Sequence, residues 1–279
     1  MWSGGATGRR LIAGVGLAIA AVGCRQEPAL LRQAQKAVLV ETLRGELLAS
    51  VEAEKSAVMA TTDQESTTFA DESRRRTAEL TRLRDELHRR ITADGRPGEV
   101  EKLAAFDATF AELRDVDQRL LALAVVNSNL KAASLAAGES AETLDRLVDV
   151  LTEAQATTVD PAVLRRLSAA ATAALRIQTL LPPHIAAADD ATMSRLEARM
   201  RTLGDAVDAM LRETPSSAAS AAWADYQRLM ADVIRLSRLN TNVVSVDVSL
   251  NEKRRVTEAC RGALDALLRE IHAGPNPTR

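Results

Sequence analysis

Apolar residues recur at every third or fourth position along almost the whole chain. The first stripe includes Val40, Leu43 and Leu47, and the same spacing resumes at Leu80 and Leu83. This spacing is typical of the buried face of an amphipathic helix, whereas a strand would alternate at every second position. The sequence therefore predicts an all-α protein.

Turn signals divide this pattern into four helical segments of similar length. They are a breaker cluster at residues 94–98, an N-cap followed by proline at Asp160 and Pro161, and the same pair of signals at Thr214 and Pro215. The resulting segments cover residues 28–92, 98–157, 161–213 and 216–273. Matched lengths and short turns favour a long antiparallel up-down four-helix bundle, in which the second and fourth segments run parallel.

Two segments are interrupted near their middle, one from Thr61 to Glu65 and the other at Pro182, Pro183 and His184. Counting residues from the turns places both interruptions near Asn127 and Asn240. We therefore expect a polar waist halfway along the bundle, with the helices arranged as two stacked layers.

A short internal repeat supports this placement. The triplet that begins at Asn127 (Asn-Ser-Asn) recurs 113 residues later at Asn240 (Asn-Thr-Asn). The same offset pairs Phe110 with Trp223 and Glu139 with Glu252. The second and fourth segments are thus predicted to be a weak repeat.

The N-terminus has the features of a secretion signal. Arg9 and Arg10 precede a short apolar run, and the residues before Cys24 are small, as they are ahead of the lipid-modified cysteine of bacterial lipoproteins. This pattern predicts a cleaved signal peptide at 1–23, a lipid on Cys24 and one extracytoplasmic, membrane-anchored domain at 24–279. A plain secretory signal and an uncleaved anchor are the alternatives. We expect no second membrane span.

Composition narrows the chemistry. The 36 basic and 38 acidic residues leave a formal charge of −2, which argues against a nucleic-acid partner. The three histidines have no metal-site spacing, and no nucleophile elbow or phosphate loop is present. We therefore expect no enzyme activity, catalytic residue, metal or cofactor.

The best binding candidates are the polar side chains expected at the waist, since amides both donate and accept hydrogen bonds. They either bind a small polar ligand or only fix the register of the helices, as a core asparagine does in coiled coils. These residues are Asn127, Asn129, His184, Asn240 and Asn242.

Two stretches, residues 106–135 and 222–253, the latter containing LSRLNTN and VSLNEK, resemble the four-helix-bundle sensory module of methyl-accepting chemotaxis receptors. The chain is also similar in length to the helical bimodular sensor domain. The resemblance implies a small molecule bound between helices and a signal passed to a membrane-spanning helix. Because this chain has no predicted second span, we expect a lipid-anchored sensory or ligand-binding bundle that acts through a protein partner. The alternative is a structural or adaptor lipoprotein that pairs its helices with a partner or with a second copy.

Overall fold

A computed structural model describes residues 13–94, 96–214 and 216–273, which form helices joined by short turns and contain no strand. The all-helical prediction is confirmed. The predicted signal peptide and lipidation site cannot be compared with it, because residues 1–12 lie outside the described residues and only the backbone is described up to residue 28. The described helices are α1 Ala13–Met59, α2 Asp63–Asp94, α3 Pro97–Ala124, α4 Ser128–Leu135, π1 Ala136–Ser140, α5 Ala141–Ala156, α6 Pro161–Gln178, α7 Leu181–Ile185, α8 Asp190–Glu213, α9 Ser217–Leu239, α10 Thr241–Val248, π2 Ser249–Lys253 and α11 Arg254–Ala273.

The first predicted segment, 28–92, is not one interrupted helix but an antiparallel pair, α1 and α2. Arg76 donates to Glu46 at 3.2 Å, and farther from the turn Arg90 donates to Gln35 at 2.7 Å. The turn ends where the Glu65 N–H donates to the Thr62 hydroxyl at 3.2 Å. The prediction was wrong because a helix N-cap follows a kink and a full chain reversal alike.

The third predicted segment, 161–213, also folds back on itself, since α6 and α8 pack against each other. Arg166 in α6 donates to Thr214 at the end of α8 at 3.2 Å. Asp160 caps α6 as predicted, accepting from the Ala162 N–H at 2.8 Å. The predicted cap at Thr214 was wrong: Ser216 caps α9, accepting from the Ala219 N–H at 3.2 Å.

The second and fourth predicted segments are each broken at an asparagine. Asn127, with φ of 54°, separates α3 from α4, and Asn240, with φ of 51°, separates α9 from α10. Asparagine is among the few residues other than glycine that enter this left-handed region readily. Each break is followed by an eight-residue α-helix and a five-residue π-helix. The weak repeat seen in sequence is therefore a repeat of structure with the same offset.

The repeat extends to the order of helices. One copy comprises α1 to α5, and the other comprises α6 to α11, with a helical hairpin, a third helix, the asparagine break and a π-helix in each. Helix α5 of the first copy packs against α6 and α9 of the second. Conversely, in α11 of the second copy the Ile271 carbonyl accepts from Gln33 of α1 at 2.6 Å, and Cys260 donates to Thr109 of α3 at 3.4 Å. The last helix of each copy thus packs against helices of the other copy, an arrangement we call exchanged.

The contacts divide the chain into two compact units. Unit 1 contains the residues up to Glu52, Glu72–Asp115 and the residues from Arg254 onward; unit 2 contains Ala53–Asp71 and Val116–Lys253. In unit 1, Phe106 and Phe110 stack with ring centroids 5.5 Å apart. In unit 2, Trp223 and Tyr226 stack at 5.7 Å. Each unit thus has its own buried aromatic pair.

One described helical stretch, Pro97–Ala156, contains an 18-residue window apolar enough to cross a membrane, with a mean hydropathy of 1.4. The sequence analysis expected no such stretch after the signal. About 44% of this window is buried within the protein. Core helices of proteins outside membranes satisfy the same criterion, because they too are long and apolar.

Candidate functional site

The two asparagine triplets meet in unit 2 and form what we call the asparagine junction, residues 127–129 and 240–242. The Ser128 N–H donates to the Thr241 hydroxyl at 3.1 Å, and the Thr241 N–H donates to the Ser128 hydroxyl at 3.0 Å. Likewise, the Asn129 and Asn242 N–H groups each donate to the side-chain oxygen of the other residue, at 3.1 and 3.2 Å. The junction is therefore locally two-fold symmetric.

This reciprocity satisfies the first backbone donors of two helices at once. The N–H groups at the start of a helix have no partner within it, and neither Asn127 nor Asn240 caps its own helix with its side chain. The side chains of the opposite triplet do so instead. Away from the junction, Asp117, which precedes Asn127, pairs with Lys253, which follows Asn240, and α4 and α5 pack against α9. The second and fourth segments are therefore antiparallel, and the predicted parallel arrangement was wrong.

The turns of the two helical hairpins, α1–α2 and α6–α8, also contact the junction. Asn127 donates to the Asp63 carboxylate at 3.0 Å, and Asn240 donates to the Ala187 carbonyl at 3.2 Å. Asn129 reaches the Ile185 carbonyl at 2.8 Å. The hydrogen bond from Asn127, together with Lys131, lowers the pKa of Asp63. Counting residues in the sequence had placed these interruptions and asparagines together, and the structure does bring them together.

Within the described residues, every side-chain nitrogen and oxygen of the four asparagines has a hydrogen-bond partner. Asn242 donates to the Asn127 oxygen at 3.1 Å, and Asn129 donates to the Asn240 oxygen at 2.9 Å. A ligand would have to replace these bonds at no net gain. The contacts thus favour the role of fixing register, and direct ligand binding by these asparagines stays a prediction.

His184, the fifth candidate, lies buried in α7 and bridges two other helices. Its Nδ1 lies 2.8 Å from the Ser237 hydroxyl, and its Nε2 lies 2.9 Å from Glu197 Oε1. Arg238 donates to the same Glu197 oxygen at 2.6 Å. This hydrogen bond is the main cause of the lowered pKa of Glu197. His184 thus connects a carboxylate of α8 to the end of α9 beside the junction.

Glu197 also lines a groove of about 410 Å³ between α8 and α9. Gly204 is one of its lining residues, and a Cβ at this position would lie 3.8 Å from the Trp223 indole, an ordinary contact distance. Asp208 accepts from the Trp223 indole N–H at 2.6 Å at one side. Its other polar and apolar lining residues include Arg201, Asp205, Gln227, Met200, Met230 and Ile234. Sequence analysis missed this groove; the one usable signal was a glycine inside a long helix.

A second groove, of about 640 Å³, lies between α6 and α8. Arg165 and Arg176 line it together with Ser168 and Thr172. It has no contact with the His184 bridge, and so it provides a natural control for the first groove.

The π-helices carry two further polar clusters, both inside unit 2. At the π1 site, Gln178 donates to the Ala136 carbonyl at 2.7 Å and accepts from the Tyr226 hydroxyl at 3.0 Å. Ser140 completes this neutral cluster by donating to Gln178 at 3.4 Å.

At the π2 site the corresponding cluster is charged. Lys253 forms a buried ion pair with Asp117, and the buried Glu54 lies close to both. Sequence analysis missed this site, although Glu54 and Asp117 both stand among apolar stripe positions.

No family model, curated protein or solved structure matches this chain. Within the part of the chain that is described, no group of three or more histidine, cysteine or acidic side chains is placed to hold a metal ion.

Proposed function

We propose that the chain is a lipid-anchored, extracytoplasmic sensory protein that binds a small polar solute and acts through a protein partner. The observation that carries this proposal is the hydrogen-bonded connection from an open groove to the asparagine junction. The signal-like N-terminus supports the extracytoplasmic, lipid-anchored location, and the resemblance to chemoreceptor sensory modules supports the sensory role.

We further propose a finer description of the fold as two antiparallel four-helix layers that share the exchanged helices. One layer would comprise α1, α2, α3 and α11; the other would comprise α4 with α5, α6, α8 and α9. The hydrogen bonds of α11 to α1 and α3 and the packing of α5 on α6 and α9 support this grouping. Up-down layers of this kind commonly place ligand sites between facing helices.

The proposed site is the α8–α9 groove. A solute there would contact Glu197, whose carboxylate also holds His184 and Arg238. His184 in turn contacts Ser237, and the adjacent Ile185 carbonyl accepts from Asn129 of the junction. A solute that competes for Glu197 would therefore change the contacts of His184, which is adjacent in sequence to a residue bonded to the junction. This connection gives solute binding a physical route to a conformational change.

A thermal-unfolding screen of the full chain in mild detergent tests this proposal. The probes are carboxylic acids, amino acids and polyamines, each at millimolar concentration. A solute that binds only the folded protein raises Tm, since stabilisation grows as RT ln(1 + [L]/Kd). We expect one class to raise Tm by several degrees in the wild type and to lose that effect in Glu197→Gln.

The matched control is Arg176→Gln in the α6–α8 groove, which should keep the full shift. A shift lost in Arg176→Gln but kept in Glu197→Gln would move the binding site to the second groove. Substituting Asn127 and Asn240 with Leu tests the asparagines themselves: binding that survives in that variant excludes them as ligands.

The adaptor function is the second candidate, and exposed apolar side chains on α1 favour it. Leu30, Leu31 and Val38 are each about 60% exposed or more. If these residues pair with a second copy, analytical ultracentrifugation of the full chain should show a dimer. A triple substitution of these residues with Ser should then yield a monomer, and no probe in the screen should change Tm.

A further inference from the structure

The π2 site holds more buried negative charge than its one cation balances. Glu54, Asp117 and Lys253 are all buried, with exposed fractions of 0%, 4% and 1%. Lys253 contacts one oxygen of Asp117, while the other Asp117 oxygen and both oxygens of Glu54 accept no hydrogen bond of normal geometry from a described residue. Ionised buried carboxylates in this condition are strongly unfavourable.

A buried glutamate in unit 1 shows how this protein otherwise handles such a group. Glu99 is fully buried, and it forms ion pairs with both Lys36 and Arg96. One carboxylate there has two ion-pair partners, whereas among the described residues the two carboxyls of the π2 site have one buried cation, Lys253, and the nearby Lys55 is exposed. The buried side chains of the π2 site thus carry one excess negative charge when both carboxyls are ionised.

The other copy of the repeat shows what a complete π-helix contact looks like. Gln178 donates an N–H to the carbonyl of Ala136, the first residue of π1. The equivalent residue of π2 is Ser249, whose side chain lies near enough to Glu54 to favour its charged form. A protonated carboxyl at Glu54 has an O–H, as Gln178 has an N–H, and it can donate that O–H to the Ser249 hydroxyl.

We propose that the π2 site is a proton-binding site: Glu54 takes one proton from solvent, its carboxylate becomes a carboxylic acid, and the cluster of Glu54, Asp117 and Lys253 becomes neutral. The acid then donates to the Ser249 side chain at the start of π2. Loss of the proton removes that contact and restores a buried negative charge, so π2 packs less tightly at higher pH.

The surrounding charges agree with this assignment. Burial is the largest cause of the raised pKa of Glu54, and Asp117 raises it further, while the Ser249 hydroxyl, Lys253 and the adjacent Lys55 act in the opposite direction. Burial also raises the pKa of Asp117, against the attraction of Lys253. Because Lys253 contacts Asp117 directly, the proton goes to Glu54.

The test is urea unfolding of the full chain from about pH 5.5 to pH 8.5. With its pKa raised in the folded protein, Glu54 contributes stability that is complete below its pKa in the unfolded chain and lost as pH rises through the folded value. The unfolding equilibrium constant should therefore rise by up to about tenfold per pH unit over that window. Glu54→Gln should lose the part of this dependence that Glu54 contributes and keep only what Asp117 adds, whereas the exposed Glu41→Gln on the same helix should keep all of it.

Infrared difference spectra of the same chains give a second readout that does not need the variant to fold. The wild type should show the carbonyl stretch of a protonated carboxylic acid that disappears as pH rises, with the same midpoint as the loss of stability. An unchanged pH dependence in Glu54→Gln, or no such band in the wild type, would overturn the proposal. So would stabilisation by sodium or potassium, relative to choline, at constant pH and ionic strength, because the missing charge would then be a metal ion.

Discussion

The two π-helices stand at equivalent positions in the two copies of the repeat, but the groups packed against them differ in charge. At the π1 site Ser140 and Tyr226 both donate to Gln178, and Gln178 donates to the Ala136 carbonyl of the helix backbone. At the π2 site, three ionisable side chains come together, and three of their carboxyl oxygens accept no hydrogen bond of normal geometry from a described residue. A π-helix can therefore pack against a neutral hydrogen-bonded network, so packing alone does not require the charged side chains at the π2 site.

The two halves of the asparagine junction, unlike the two π-helix sites, are chemically alike. Its two halves keep the same residue types apart from Ser128 and Thr241, and they make the same bonds in both directions. Each half supplies the cap that the other half's helix needs, so a change on one side leaves an unpaired group on the other. At the π-helices each copy also contacts the other: Gln178 of the second copy donates to π1, and Asp117 of the first copy pairs with Lys253 of π2. Symmetry is preserved where the two halves cap each other's helices, and it is lost at the π-helices, where the contacting side chains differ in charge.

The largest effect should come from removing the one cation of the π2 site. Lys253→Met removes the counter-charge of the buried Asp117 carboxylate, and we expect a loss of about 3–5 kcal/mol in the free energy of unfolding. The equivalent change at the π1 site, Ser140→Ala, removes one neutral hydrogen bond and should cost about 1 kcal/mol or less. Urea denaturation measures both, and equal losses would show that the two sites do not differ as described.

The second-largest effect should come from introducing a charge at the neutral π1 site. Gln178→Glu places a partly buried carboxyl beside Tyr226 and removes the N–H that donates to the Ala136 carbonyl, so we expect a loss of roughly 2 kcal/mol at neutral pH. Burial should raise the pKa of the new carboxyl, so the loss should shrink as pH falls toward the pKa of an unfolded glutamate. A loss independent of pH would instead indicate a steric effect.

A smaller effect is expected at the junction, and it should be equal in both copies. Asn127→Ala and Asn240→Ala each place a Cβ in the left-handed region that glycine enters freely, so each should be less stable than its glycine counterpart by about 1–2 kcal/mol. Thermal unfolding of the four variants provides the comparison. A difference between Ala and Gly at one asparagine only would mean that the two halves are not equivalent.

The smallest effect should follow from Tyr226→Phe, which removes the hydroxyl that donates to Gln178. We expect a loss of about 1 kcal/mol. Because burial raises the pKa of Tyr226, its hydroxyl stays neutral and the loss should not vary between about pH 5 and pH 9. A pH-dependent loss would show that the π1 site is coupled to an ionising group.

Local signals in the sequence were sufficient for several features. The three-and-four spacing predicted helices, and Asp160 with Pro161 marked the start of α6. The recurring Asn triplet revealed the repeat, because its residues are needed at both left-handed breaks. Residue counts also predicted that the interruptions lie near the asparagines, because the rise per residue of a helix is constant and converts a count into a distance.

Other features depended on contacts between distant residues. The interruptions near Thr61 and Pro182 were interpreted as breaks in straight helices, although each lies at a chain reversal. Gln178 and Glu54 gave no sign of their partners, because Ala136 and Ser249 meet them only through packing between helices.

By itself, then, the sequence determined where helices form, where they are capped and which short motif is repeated, since these depend on residues within about one turn of one another. Only the tertiary structure decided the direction of each helix after a break, the exchange of the last helices between copies and the charge balance at each π-helix. Those outcomes depend on which distant side chains share a buried volume. There, an unpaired charge or hydrogen bond carries a large energetic cost that no local pattern encodes.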